Sequence, residues 1–274
     1  MRCLIKRRND QGMKETLVSI VKKEDINLDL IKVNELLEFM LQNIGNTDAY
    51  LRDDLIYRGF GYLILDDKLT VKQSVGLLKT CLDDEHLYLN ITHNGPSDDV
   101  FTRSFSALVI ALIIGKDREN RILPEALILE AIQRSVDYLK LEKDYRGFVY
   151  EKGWAHAVAH GSDLLAEVIA HPLMKDLHMC HKALQSLKSC LHTDYAFIDD
   201  EEERMLLVIN ALLDKGLTDE QLLAWVKDLN EIEIEDWLTK YRYEWNVKKF
   251  EGTLLRHLLK TNKCVLTSNW IIEA

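Results

Sequence analysis

Apolar residues recur at alternating steps of three and four along most of the chain, and this spacing predicts helices. Leu30, Val33, Leu37, Met40 and Ile44 line one face of a helix that Gly45 is placed to end. A second amphipathic run covers Leu51 to Leu65, and a third starts at Thr70 with Val71, Val75, Leu78 and Leu82 on one side. The stretch 83–97 closes on Asn94, Gly95, Pro96 and Ser97 and reads as the longest loop. A helix follows from Asp98 or Asp99 to Gly115. The next has Pro124 in its first turn, where a missing N–H costs nothing, and breaks near Asp144 to Gly147.

Another helix is expected from about Gly153 to Ala170, stopping ahead of Pro172, whose ring disfavours helical geometry in His171. A further one covers Met174 to Leu191. Asp199 with Glu202, and Thr218 with Gln221, have the spacing of reciprocal N-terminal caps; the helix that starts at the first pair ends at Gly216. Leu254, Leu255, Leu258 and Leu259 imply at least one more helix beyond Trp237. No segment alternates with period two between hairpin turns, so the expected class is all-α.

Above the single helix there is a longer rhythm. Arg52 and Arg103 lie 51 residues apart, Trp154 lies 51 after Arg103, and Arg204 lies 50 after Trp154, each at the start of an apolar helix. A period of about 50 predicts stacked antiparallel helical hairpins, either a HEAT-like α-solenoid or a closed α/α ring. The expected organisation is a flexible N-terminal extension over 1–12 and one helical-repeat domain over 13–274.

Composition narrows the function classes. Apolar residues make up 47% of the chain and charged residues 29%, enough to bury a core and unlike a disordered chain. The formal charge of -10 opposes non-specific attraction to nucleic acid or to an anionic membrane. The longest apolar run, Ala107 to Ile114, is far too short to span a bilayer, and the basic leader lacks a signal-peptide core. Five scattered cysteines without a C-x-x-C pair point to a reducing compartment, and the expected location is cytoplasmic.

The best-marked chemistry is a polar stripe. His156, His160 and Asp163 project from one helix face within about two turns, a spacing able to hold zinc or another divalent ion with open positions for water. The same three residues equally suit a structural network in which Asp163 partners His160, or contact with a ligand and no metal. Asp144 and Arg146 sit at a helix break just upstream, followed by Trp154. Gly161 inside the helix implies close approach of a backbone or ligand. Arg52 with Asp53 and Arg103 with Ser104 stand at corresponding repeat positions. There the arginines either grip a carboxylate or phosphate, or pair with neighbouring acids such as Asp53 and Asp99. Asp176, His178 and His181 lie among lysines and read as a solvated face.

Four segments carry a resemblance: LRDDLIY at 51–57, DDVFTRSFSALVIAL at 98–112, EKDYRGFVYEKGWAHAVAHGSDLL at 142–165 and EEERM at 201–205. Together they resemble the bacterial family known as domain of unknown function 2785, over roughly Leu30 to Leu229. The resemblance implies a helical protein of the bacterial cytosol and carries no established reaction. Its motif positions here are Arg52, Asp53, Arg103, Ser104, Phe105, Asp144, Arg146, Gly147, Gly153, Trp154, His156, His160 and Asp163. From Glu231 onward it implies nothing.

Three functions remain open on the sequence. The first is a binding protein whose concave pocket, lined by Arg52, Asp53, Arg103, Ser104, Asp144, Arg146, Trp154, His156, His160 and Asp163, receives a small anionic or polar ligand. The second is a metal-dependent hydrolase using His156, His160 and Asp163 as ligands and Glu151 or Asp144 as base. The third is a protein-interaction scaffold, which calls for an exposed apolar strip.

Overall fold

A computed structural model describes residues 2–24, 28–93, 95–175 and 177–273. Among these residues the chain forms twelve α-helices and one two-stranded ribbon. The helices are α1 (Arg2–Val21), α2 (Leu30–Gln42), α3 (Arg58–Leu65), α4 (Val71–Leu82), α5 (Asp99–Asn120) and α6 (Glu125–Leu141). They continue as α7 (Ala157–Ala170), α8 (Leu177–Leu191), α9 (Glu201–Asp214), α10 (Asp219–Asn230), α11 (Trp237–Thr261) and α12 (Val265–Glu273). The strands β1 (Phe148–Val149) and β2 (Gly153–Trp154) pair antiparallel. The fold is all-α. The segment 2–12 belongs to α1, and of the solvated face expected around His178 the residue Asp176 lies outside the described residues.

Local chemistry explains most boundaries. Thr70 and Thr218 cap α4 and α10 through reciprocal bonds with Gln73 and Gln221, satisfying backbone N–H groups that a helix start leaves free. The expected cap at Asp199 does not form. Its carboxylate accepts the Phe148 backbone N–H at 2.9 Å instead, and Asp200 takes the position before α9 in a left-handed conformation.

The run from Leu51 to Leu65 is helical, but Tyr50–Tyr57 is wound as a π-helix before α3 continues it. Helix α5 passes Gly115 and reaches Asn120; a side chain at 115 would press on Glu167 of α7, 3.1 Å away. Helix α7 starts at Ala157, later than the expected Gly153, because 148–154 folds back as the ribbon. Gly153 makes this possible with φ +78° and no side chain to strike Ala49, whose Cβ lies 2.7 Å from where one would stand.

Helices α3, α5, α7, α9 and α11 each pack against the next in that series, and α4, α6 and α8 pack in sequence likewise. Helix α7 touches α5, α6, α8 and α9, so its Leu164, Leu165, Val168 and Ile169 are fully buried. Gly161 lets it come close to α6, since a Cβ there would meet Leu139 at 2.5 Å and Tyr138 at 2.8 Å. The starts of α5, α7 and α9 and the π-helix surround the ribbon, and this is where the sequence placed its polar candidates.

Candidate ligand-binding site

Arg52 is the largest fully buried side chain, and the π-helix holds it under the ribbon. Its guanidinium donates to the Asn46 carbonyl at 2.7 Å and to the Lys152 carbonyl at 2.8 Å, and pairs with Asp53 at 2.8 Å. Its flat faces lie over Phe101 and Phe105, 4.3 and 4.8 Å from the ring centres. Burial lowers the Arg52 pKa and raises that of Asp53, each opposed by the charge of the other. This arginine therefore ties the ribbon to the helix beneath it and presents no free donor edge outward.

Arg103 is also committed internally. It grips Glu142 in a two-point contact, 2.7 Å on each side, and donates a third bond to the Leu89 carbonyl at 2.9 Å. Arg146 makes the same kind of fork with Asp144, at 2.8 and 2.6 Å, and reaches the Ser97 carbonyl at 2.9 Å. These charge-assisted, bidentate bonds pin the loop before the ribbon to the start of α5. The arginines expected to hold a ligand are anchored by acids, and the acid on Arg103 is Glu142 rather than Asp99.

His160 stands behind them. The Ser104 hydroxyl donates its single proton to the Ala155 carbonyl, so His160 Nδ1–H donates to Ser104 Oγ across 2.6 Å. Phe105 meets the His160 ring edge-on at 5.2 Å, and burial holds its pKa well below the usual imidazole value, with His156, Arg204 and Arg52 adding to the shift. His156 is the left-handed residue just before α7, not a member of the helix. Its Nε2–H donates to the Asp199 carbonyl at 2.9 Å, and its ring stacks on Trp154 at 4.3 Å. Trp154 meets Phe148 edge-on, and both stay substantially exposed on the ribbon.

Asp163 opens on a different space. One turn past His160, it faces a groove of about 710 Å³ between α3, α5, α7 and α9. Its carboxylate pairs with Arg204 of α9 at 2.8 Å. Burial pushes the Asp163 pKa up to about 6, against the pull of Arg204 and with added repulsion from Glu167. Tyr57 lines the same wall, its pKa raised by burial and by Asp163. Lys116 and Arg118 join the lining, held by Asp67 at 2.9 Å and Glu167 at 3.2 Å.

The sequence-selected residues thus separate into three settings. Arg52, Arg103, Ser104, Asp144 and His160 form a buried frame with Asp53 and Arg146 half-buried at its edge, His156 and Trp154 form a ledge, and Asp163 belongs to the groove. His156 and His160 do approach, 5.6 Å between ring centres. The three proposed metal donors nonetheless face three different partners, Asp199, Ser104 and Arg204. Among the described residues no group of three His, Cys, Asp or Glu is arranged to hold a metal ion. Sequence reasoning passed over Arg204 and Tyr57 as site residues, although Arg204 stands 50 residues after Trp154 in the spacing it had noted. Glu142 entered it only as the first residue of the segment 142–165.

Among the described residues no helix is long and apolar enough to cross a membrane. No curated protein and no solved structure matches the chain. The family described as "Protein of unknown function (DUF2785)" matches residues 87–259. The matched stretch begins after Arg52 and Asp53 and extends past Glu231, through most of α11. It includes the Arg103–Glu142 fork, the ribbon, the His160 helix and Arg204, and on that match the chain belongs to the DUF2785 family.

Proposed function

We propose that this is a binding protein of stacked helical hairpins, and that its groove between α5, α7 and α9 takes a small anionic ligand such as a carboxylate or phosphate ester. The stacking is supported by hydrogen bonds that join residues one repeat apart. Ser104 reaches Ala155, Ser186 reaches Val136 and Cys190 reaches Leu139, separations of 51, 50 and 51. The cavity volume lies in the range of small-molecule sites.

The observation that carries the reading is the Asp163–Arg204 pair on the groove wall. Arg204 keeps 43% of its side chain exposed while Asp163 is largely desolvated, so an incoming anion gains a guanidinium by displacing a carboxylate that burial already disfavours. Lys116 and Arg118 line the same groove but are paired with Asp67 and Glu167, so Arg204 is the cation that an anion would take.

Calorimetric titration with inorganic sulfate tests this, because sulfate keeps its charge on both sides of the Asp163 titration near 6. Binding is expected to tighten as protonation of Asp163 frees Arg204, and to be lost in Arg204→Ala. Asp163→Asn is expected to bind at neutral pH as tightly as the parent does in acid. Equal binding by Arg204→Ala and the parent sinks the proposal.

A further inference from the structure

Helix α11 is apolar on two opposite faces. Tyr243, Val247, Phe250, Leu254 and Leu258 are buried against the rest of the protein. On the opposite face, steps of four and three connect Trp237, Tyr241, Trp245, Lys248, Gly252, Leu255 and Leu259 into one stripe. Trp237, Tyr241, Trp245 and Leu259 are 73%, 61%, 50% and 54% exposed. At 1.5 Å per residue the stripe runs for about 33 Å. Isolated surface leucines need no account, but three exposed aromatics on successive turns, with the half-buried Leu255 and the exposed Leu259 further along the same face, mark a contact surface. Above Gly252 the space is open, with nothing within 4 Å of where a Cβ would stand.

We propose that a second copy of this chain covers the stripe, the two α11 helices lying antiparallel about a two-fold axis near Lys248. In this register Trp237 faces the partner's Leu259, Tyr241 faces the partner's Leu255, and Trp245 fills the space left by the partner's Gly252. A two-fold interface must be complementary to itself, and a stripe that is bulky in its first half and small or aliphatic in its second meets that condition only when antiparallel. Charge agrees. Glu231, Glu233, Glu235 and Asp236 are exposed ahead of α11, and Lys260 and Lys263 are exposed at its far end. Antiparallel docking sets the acidic end of each helix against the basic end of the other, whereas parallel docking sets like against like.

Sedimentation equilibrium of the full chain is expected to show a dimer at micromolar concentrations. Gly252→Leu adds a side chain into open space within one chain, so its folding is expected to be unharmed while it blocks the partner's Trp245 and weakens association by roughly tenfold or more. Tyr241→Lys is expected to act likewise. On oxidation, Lys248→Cys is expected to give an interchain disulfide and Trp237→Cys none, with the unsubstituted chain as the control for its native cysteines. A monomer at every concentration overturns the proposal, as does a dimer indifferent to Gly252→Leu and Tyr241→Lys. Crosslinking through Trp237→Cys instead overturns the antiparallel arrangement, and a monomer that sediments with anionic vesicles makes the stripe a membrane-facing surface.

Discussion

Glu142 has no exposure to solvent, and its carboxylate accepts from Arg103 on both oxygens, from the Tyr138 hydroxyl and from the backbone N–H groups of Lys143 and Asp144. Removing one member of such a pair leaves a buried charge uncompensated, so Glu142→Gln is expected to lower unfolding free energy in urea by about 3–5 kcal/mol. Replacing both members, Arg103→Met with Glu142→Leu, is expected to recover only part of that loss, because the Tyr138 hydroxyl, the Asp144 N–H and the Leu89 carbonyl still lose their partners. The ionisable residues around α7 act in opposite senses with pH. Burial depresses His156 and His160 below the usual 6.5, so the stability of their neutral forms is present above 6.5 and lost as pH falls through the folded values. Asp163 is raised from 3.8 to about 6, so its contribution is full below 3.8 and lost as pH rises through 6. Asp163→Asn is therefore expected to raise stability near neutrality by at most about 3 kcal/mol and to make it fall more steeply between 6 and 4. A shallower acid limb in urea titrations of this variant contradicts the assignment. Because the three candidate metal donors are each engaged elsewhere, elemental analysis of protein purified without chelators is expected to find zinc, manganese and iron well below stoichiometric amounts.

Single elements show what a sequence pattern carries and what it omits. Mid-helix glycines look alike in sequence, yet Gly161 abuts Leu139 and Tyr138 while Gly76 has nothing within 4 Å. Gly161→Ala is expected to cost about 1–3 kcal/mol through overpacking, and Gly76→Ala to gain up to about 1 kcal/mol of helix propensity, as read from denaturant midpoints. The same divergence governs caps. Asp199/Glu202 and Thr218/Gln221 share one spacing, and only the second pair closes, because Phe148, 51 residues before Asp199, needs its carboxylate. Periodicity made the helices legible, including the one beginning at Val71, because burial of one face repeats every turn. The ribbon and the π-helix were not legible. Both rest on a fit between distant residues, Gly153 against Ala49 and Arg52 against the Lys152 carbonyl, which leaves no local period. The polar candidates were found for a related reason. Residue types unusual in apolar helices stand out in a sequence, but whether they bind a ligand or one another is decided by partners such as Glu142 and Asp199 that look ordinary there.

Across the whole molecule, contacts run between neighbouring helices in series, from α3 through α5, α7 and α9 to α11 and from α4 through α6 to α8. Helices α5, α7 and α9 have a series neighbour on both sides, whereas α3 and α11 at its ends have one and take the rest of their cover from α1 and the π-helix or from α8, α10 and α12. In such an arrangement stability is approximately a sum of local terms and nearest-neighbour terms, so the ends open at lower free energy than the middle. Helix α7 meets neighbours on four sides, and its Leu164, Leu165, Val168 and Ile169 are wholly buried. Helix α12 rests mainly on α10 and α11 and leaves Val265 and Ile272 largely exposed. Native-state hydrogen exchange followed with rising denaturant is therefore expected to show α12 amides exchanging through local opening that is nearly insensitive to denaturant. The α7 amides are expected to exchange only through an opening with the slope of global unfolding. The buried frame of Arg52, Arg103 and Glu142 lies against the start of the most protected helix, so Glu142→Gln is expected to lower protection throughout α7 while leaving that of α12 almost unchanged. Equal free energies for α7 and α12 in the parent, or an equal loss in both on substitution, identify the chain as one cooperative unit and contradict the series.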